Sequence, residues 1–244
     1  MSDRQRMIER LDRILSSFMQ QEPLPGMAVS VVYDQQMLYA RGFGVTDIRS
    51  EEPVTEHTRF HMASISKTLV ATAIMQLAED GLIQLEGLVT DYVPYFEMAG
   101  DDTYRSLTIR QLLSHTSGLP DENDFCWEQP EYDEGSLERY VRSLKDYHMQ
   151  GEPGQSFAYS NIGYEILGDV IAKVTGHSFE LYMKKNMLEP AAMRNSTFLK
   201  EEVARDSMAM PHVLGMQGGY GAEYSPIFLI TVHTVRVPPC IPMP

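Results

Sequence analysis

The sequence predicts an α+β fold in which a helical part, about residues 61–204, is inserted into an antiparallel sheet layer supplied by about residues 1–60 and 205–244. Three observations predict it. The first residues carry a helical apolar repeat; two β-branched runs with a polar break follow at once; and from about Ser64 amphipathic segments succeed one another, each with a stop signal. A helix followed by a hairpin suits an antiparallel layer better than a strand–helix–strand crossover. With no internal repeat and no flexible linker, the 244 residues read as one domain with ample length for a core.

The elements follow in order. Met7, Ile8, Leu11, Ile14, Leu15 and Phe18 stand at helical spacing with charges between them, which predicts an amphipathic helix lying on a core. Gly26 opens a run from Met27 to Tyr33; Asp34-Gln35-Gln36 breaks it, and a second run from Met37 to Val45 completes a hairpin. Ser64 to Asp80 reads as a helix with Leu69, Ala73 and Leu77 on one face and Gly81 as its stop. Leu107 to His115 reads as a short helix capped by Thr108, and Asp121 to Gly135 as an exposed acidic loop. Asn161 to Val174 has an apolar side ending at Gly176, and Ser178 caps a further helix from Phe179 to Met187. Gly218-Gly219-Tyr220-Gly221 reads as a flexible connection and Asp101-Asp102 as an exposed turn. Ile227 to Val232 suits a buried strand, but Pro238, Pro239, Pro242 and Pro244 then exclude a closing helix or central strand.

Bulk properties exclude several functions. A net charge of −14 repels nucleic acid and anionic lipid, and no basic stripe with interleaved aromatics occurs. Cys126 and Cys240 cannot make a disulfide framework, and the seven histidines show no metal-ligand spacing, so no metal and no cofactor is expected. The charged start lacks the uninterrupted apolar stretch of a signal peptide, and no segment approaches the roughly 20 apolar residues of a membrane span. A cytoplasmic address without membrane contact is the expectation.

Two motifs could carry chemistry. Ser64-Ile65-Ser66-Lys67 opens a helix, so Ser64 and Lys67 lie one turn apart on one face. A serine hydroxyl needs a base before it attacks, and a neutral lysine can serve; burial favours the neutral form. The bland alternative is a capping serine and a solvated lysine, and a pattern this short arises readily by chance. Tyr159-Ser160-Asn161 precedes an amphipathic helix, so Asn161 or Ser160 is its N-cap. A phenol beside a lysine ammonium can relay a proton, which singles out Tyr159.

Four ordered stretches carry a family resemblance. Phe60 to Gly81, with Ser64-Ile-Ser-Lys67 inside it, resembles the nucleophile helix of class C β-lactamases and their relatives. Leu112-Leu-Ser-His-Thr-Ser-Gly-Leu-Pro120 is similar to a turn of that family, Phe157-Ala-Tyr-Ser-Asn-Ile-Gly-Tyr164 to its Y-x-N element, and Glu189 to Thr197 to the segment closing its helical region. The likeness, over roughly Gly26 to Thr197, is to the serine β-lactamase and penicillin-binding protein family, D,D-peptidases and related esterases included. It implies a β-lactamase/transpeptidase-like fold, an antiparallel sheet flanked by helices with a helical subdomain. It also implies Ser64 as nucleophile, Lys67 and Tyr159 as acid/base partners and Asn161 as a polar contact for substrate, while His115, Ser117 and Gly118 shape the floor of the site. Trp127 and Phe125 either wall the substrate pocket or belong to a solvated loop.

One departure stands out. The family carries a late Lys-x-Gly or His-x-Gly element, and no lysine or histidine here is followed two residues later by glycine. The sequence therefore reads as a truncated or frame-disrupted member with an incomplete sheet, whose open edge would invite a homodimer. The expected reaction is acyl transfer to water from a small-molecule ester, amide or β-lactam, esters and small amides ranking first because no export signal is seen. The rival is a catalytically impaired relative that binds ligands or partners, or a remnant without function.

Overall fold

The computed structural model describes residues 2–22, 24–100, 102–120, 131–203, 208–214 and 220–221. These fall into two compact units, one of residues up to 61 with those described from 203 onward, the other of residues 62–202.

In the first unit, helix α1 (Asp3–Gln21) starts where Ser2 accepts a hydrogen bond from Gln5 N–H. Strands β1 (Gly26–Tyr33) and β2 (Gln36–Gly44) pair antiparallel, with an irregularity between Val31 and Val32. The turn is two residues long rather than three: Asp34 and Gln35 both have positive φ, 47° and 60°, which matches the right-handed twist of the strands. Gly42 has to be glycine, because a Cβ there would stand 2.1 Å from the Val54 carbonyl oxygen. Strand β3 (Val213–Leu214) pairs antiparallel with β4 (Tyr220–Gly221), so part of the expected glycine-rich connection is a strand. The described strands thus form two separate two-stranded sheets.

The expectation for α1 needs correcting. None of its residues is buried, and Ile14 is 54% exposed. The helix packs on β2, and strands only about 4.8 Å apart make a ribbon too narrow to cover an apolar stripe. What anchors it is polar: Tyr39 Oη donates to Asp12 Oδ1 at 2.6 Å, and Arg41 Nη1 lies 2.8 Å from Asp12 Oδ2. Burial, reinforced by the Asp12 carboxylate, pushes the Tyr39 phenol up to about 12.

The second unit holds the core. A 3₁₀ turn over Ala63–Ser66 leads into helix α2 (Lys67–Glu79), which ends before Gly81 at φ 74°. Short helices α3 (Val89–Tyr92) and α4 (Ile109–Leu113) follow; Thr108 caps α4 reciprocally with Gln111. Asp102 is exposed, as expected, and opens a 3₁₀ turn in which it pairs with Arg105 at 2.8 Å. Helix α5 (Ser136–Ser143) was not foreseen; it buries Leu137, Tyr140 and Val141 and turns Glu138 and Arg142 outward.

Helix α6 (Asn161–Thr175) is the centre of the unit, touching α2, α4, α5 and α7 (Phe179–Met183). The sequence pattern gave it one apolar side, yet all ten residues from Ile162 to Ile171 are buried. Buried Asp169 finds a partner instead of solvent: Tyr95 Oη donates to Asp169 Oδ2 at 2.6 Å, and burial first, then Asp169, raises the Tyr95 phenol. Gly176, in the left-handed conformation, ends the helix, and Ser178 caps α7, which runs into a π-helical turn over Lys184–Leu188. The sequence reading of residues 227–232 as a strand, and the two cysteines, lie outside the described residues. Among the described residues no helix is long and apolar enough to cross a membrane.

Candidate active site

The site residues described below, Ser64, Lys67, His115, Tyr159, Asn161 and Tyr164, belong to the second unit. Ser64 sits in the 3₁₀ turn, one residue after Ala63, whose φ of 44° is unusual for a residue with a Cβ. Strain of this kind persists only where surroundings enforce it. Ser66 Oγ donates to the Ala63 carbonyl at 3.2 Å, and Thr68 Oγ1 to that of Ile65 at 2.6 Å, which holds the turn. Ser64 caps nothing: the residue before α2 is Ser66, and it makes no side-chain cap. The Ser64 hydroxyl is therefore available.

Lys67 begins α2 and is only 5% exposed, so it is not a solvated side chain. Its Nζ donates to Asn161 Oδ1 at 2.8 Å and lies 3.2 Å from Ser64 Oγ. Tyr159 Oη donates to the same Ser64 Oγ at 2.7 Å. Lys67 Nζ also stands 5.0 Å from the centre of the Tyr159 ring and 5.6 Å from that of Tyr164, within cation–π range. One hydroxyl, one amine and one phenol thus meet, although Ser64 and Tyr159 are 95 residues apart in sequence.

Asn161 reaches Lys67 because its neighbour does the capping. Ser160 Oγ accepts from Gly163 N–H at 3.3 Å, which answers the choice between Ser160 and Asn161 and leaves the Asn161 amide to project from the first turn of α6. Tyr164, one turn further on, lies against both Lys67 and His115. Sequence reasoning missed it, though the i, i+3 spacing from Asn161 could have found it. Its phenol donates to the Leu113 carbonyl at 3.0 Å and is raised by burial and by Tyr159, so it stays protonated.

The turn after α4, which carries His115, Ser117 and Gly118, packs against the segment that leads to Tyr159. Gly118 has φ 71°, and a Cβ there would meet the Gly151 carbonyl oxygen at 2.1 Å. Its own carbonyl accepts from Gln150 and Gly151, and that of Thr116 from Gly154, so the chain approaching Tyr159 is laced to this turn. Three exposed apolar side chains were not weighed in the sequence: Met62 and Ile65, which flank Ser64 along the chain, and Phe157, which meets His115 edge-on, are 42%, 61% and 70% exposed. Trp127 and Phe125 lie outside the described residues. Among the described residues no three His, Cys, Asp or Glu side chains gather as a metal site.

The β-lactamase family model matches residues 11–219. The chain belongs to the β-lactamase family. It is 32% identical over 190 residues to penicillin-binding protein 4 of Amycolatopsis lactamdurans, covering 78% of this chain and 49% of that one. Protein flp of Staphylococcus aureus is 29% identical over 191 residues, covering 78% and 38%. The chain therefore spans less than half the length of these relatives. The octameric penicillin-binding protein homologue of Pyrococcus abyssi superposes with a TM-score of 0.71 at 29% identity, covering 94% of this chain and 52% of the other. The fold is the mixed α+β arrangement of β-lactamases and transpeptidases.

Proposed function

We propose that this β-lactamase family member is a serine hydrolase that forms an acyl-enzyme on Ser64, with Lys67 and Tyr159 moving the proton and Asn161 orienting Lys67 and the substrate. The observation that carries the reading is the double approach to Ser64 Oγ, by Lys67 Nζ at 3.2 Å and Tyr159 Oη at 2.7 Å. In the resting geometry both are donors toward that oxygen, so reaction starts from the state in which one has given up its proton. Ser64 Oγ then attacks the carbonyl carbon as its proton passes to the vacant partner. Tyr159, facing the cleft, returns a proton to the departing alkoxide or amine, and the ester bond to Ser64 remains. Water attacks that ester, giving its proton to the same pair while Ser64 recovers its own. The Ser64 backbone N–H, at the start of a helical turn, is the donor assigned to the oxyanion, and one such donor typically contributes about 10²–10³ in rate.

The exposed apolar side chains Met62, Ile65 and Phe157 support an ester or small amide with an apolar group as substrate. Covering such side chains contributes roughly 25 cal/mol for each Å² of apolar surface removed from water. The competing reading is a non-catalytic ligand-binding relative, favoured by the lack of any Lys-x-Gly or His-x-Gly in the sequence. Steady-state hydrolysis of p-nitrophenyl esters of increasing acyl length, and of a chromogenic cephalosporin, separates the two. The proposal expects turnover abolished in Ser64→Ala and kcat/KM rising from acetate to butyrate. Equal rates for the two proteins would leave the binding reading standing.

A further inference from the structure

We infer that His115 is a positioning residue for Tyr159, that it works only as the neutral imidazole with its proton on Nε2, and that protonating it loosens Tyr159 from Ser64. This rests on the proposed role of Tyr159, but not on any particular substrate.

Ser160 precedes the first turn of α6 in an extended conformation, so its own N–H has no place in the helix hydrogen-bond ladder, and among the described residues it belongs to no strand. Ser160 is buried, and an unpaired N–H there is costly. The acceptor that meets it is His115 Nδ1, at 3.1 Å. A ring nitrogen that accepts carries no proton, and this fixes the tautomer. Two residues earlier, Ala158 N–H donates to the His115 carbonyl at 2.8 Å. Tyr159 is thus held on both sides, before and after, by one histidine.

The ring holds it as well. His115 stacks on Tyr159 with centroids 4.4 Å apart and planes 31° apart, on Tyr164 at 5.1 Å and 33°, and meets Phe157 edge-on at 5.9 Å. The backbone is bent to make this possible: His115 has φ 56°, the second left-handed non-glycine residue at the site after Ala63. Among the described residues, ionisable groups that face the ring include Tyr159 from the segment before α6 and Tyr164 from α6, and Lys67 Nζ from α2 faces those same two phenol rings. Protonation would do two things at once. It would turn Nδ1 from acceptor into donor, orphaning the Ser160 N–H, and it would set a second cation against two rings that already face Lys67.

Two variants separate these functions. His115→Asn keeps an acceptor at a similar reach and tolerates positive φ, but cannot titrate; His115→Phe keeps a ring and loses the acceptor. Backbone NMR of the full chain reads the Ser160 amide from pH 8 to pH 5, and ester hydrolysis is followed in parallel. In the unaltered protein the Ser160 amide is expected to shift with a single histidine midpoint, and kcat to fall with the same midpoint while KM changes by less than about threefold. In His115→Asn the amide titration disappears and that limb leaves the kcat profile. In His115→Phe the Ser160 amide exchanges at least tenfold faster, and kcat drops at least tenfold at pH 8. A Ser160 amide indifferent to pH, or one equally protected in His115→Phe, overturns the inference. So does an unchanged pH profile in His115→Asn. A protein that hydrolyses no ester would defeat the proposed function while the amide measurements still decide the role of His115.

Discussion

The core cluster, with Ile166, Leu167, Val170 and Ile171 sealed from water, lies in the unit of residues 62–202, whereas the unit that begins with α1 buries Tyr39, Phe43, Val54 and Met208 but leaves Ile14, Phe18, Val32, Tyr33 and Met37 exposed. The first kind of unit is closed by helices around α6, the second by a hairpin and one helix anchored through Asp12. Ser64, Lys67, His115, Tyr159, Asn161 and Tyr164 all belong to the closed unit. A proton relay needs atoms fixed to within a fraction of an ångström. Close packing around α6 provides that, and a two-stranded ribbon cannot.

The sharpest way to break this contrast is a matched pair of truncations. Ile166→Ala should cost about 2–5 kcal/mol in urea unfolding, since the residue is fully buried and its cavity cannot collapse. Equal loss from Ile14→Ala would erase the distinction. Gly118→Ala comes next. It forces a Cβ against the Gly151 carbonyl at a left-handed φ, and about 1–3 kcal/mol of stability should go together with ester hydrolysis, because the same turn carries His115. Tyr95→Phe should cost about 1–3 kcal/mol by removing a donor from the buried Asp169. Ile14→Ala itself should change stability by about 0.5 kcal/mol or less.

One further effect is alkaline. The folded state raises the Tyr39 phenol to about 12 from its ordinary 10, mainly by burial. Its contribution is fully present below pH 10 and is lost as the pH climbs from 10 towards 12. Stability measured across that range should fall less in Tyr39→Phe than in the unaltered chain.

Local order made much of this readable in the sequence. The Ser64–Lys67 pair follows from helical spacing, the hairpin from two β-branched runs, and the stops at Gly81 and Gly176 from glycine after an apolar repeat. What escaped was set by distant residues. Helix α5 has no side-chain cap and a charged face, so its sequence resembles a loop until Leu137 and Tyr140 find the core. Burial on every side of α6 depends on the helices packed around it, α2, α3, α4, α5 and α7, and Asp169 would look solvent-bound without Tyr95, 74 residues away. In the site, Ser64 and Lys67 were a local pattern. The stacking of His115 on Tyr159 and Tyr164 was not, because it depends on a left-handed bend at His115 that nothing in Leu112–Pro120 announces.

The central claim is that the Ser64 hydroxyl is made nucleophilic by the amine and the phenol beside it. Intact-mass and peptide-level spectrometry after exposure to a fluorophosphonate tests this without assuming a natural substrate. One adduct per chain is expected, on the peptide holding Ser64, absent in Ser64→Ala and formed at least a hundredfold more slowly in Lys67→Met. No adduct, or labelling that persists at the same rate when Ser64 is alanine, would contradict the account.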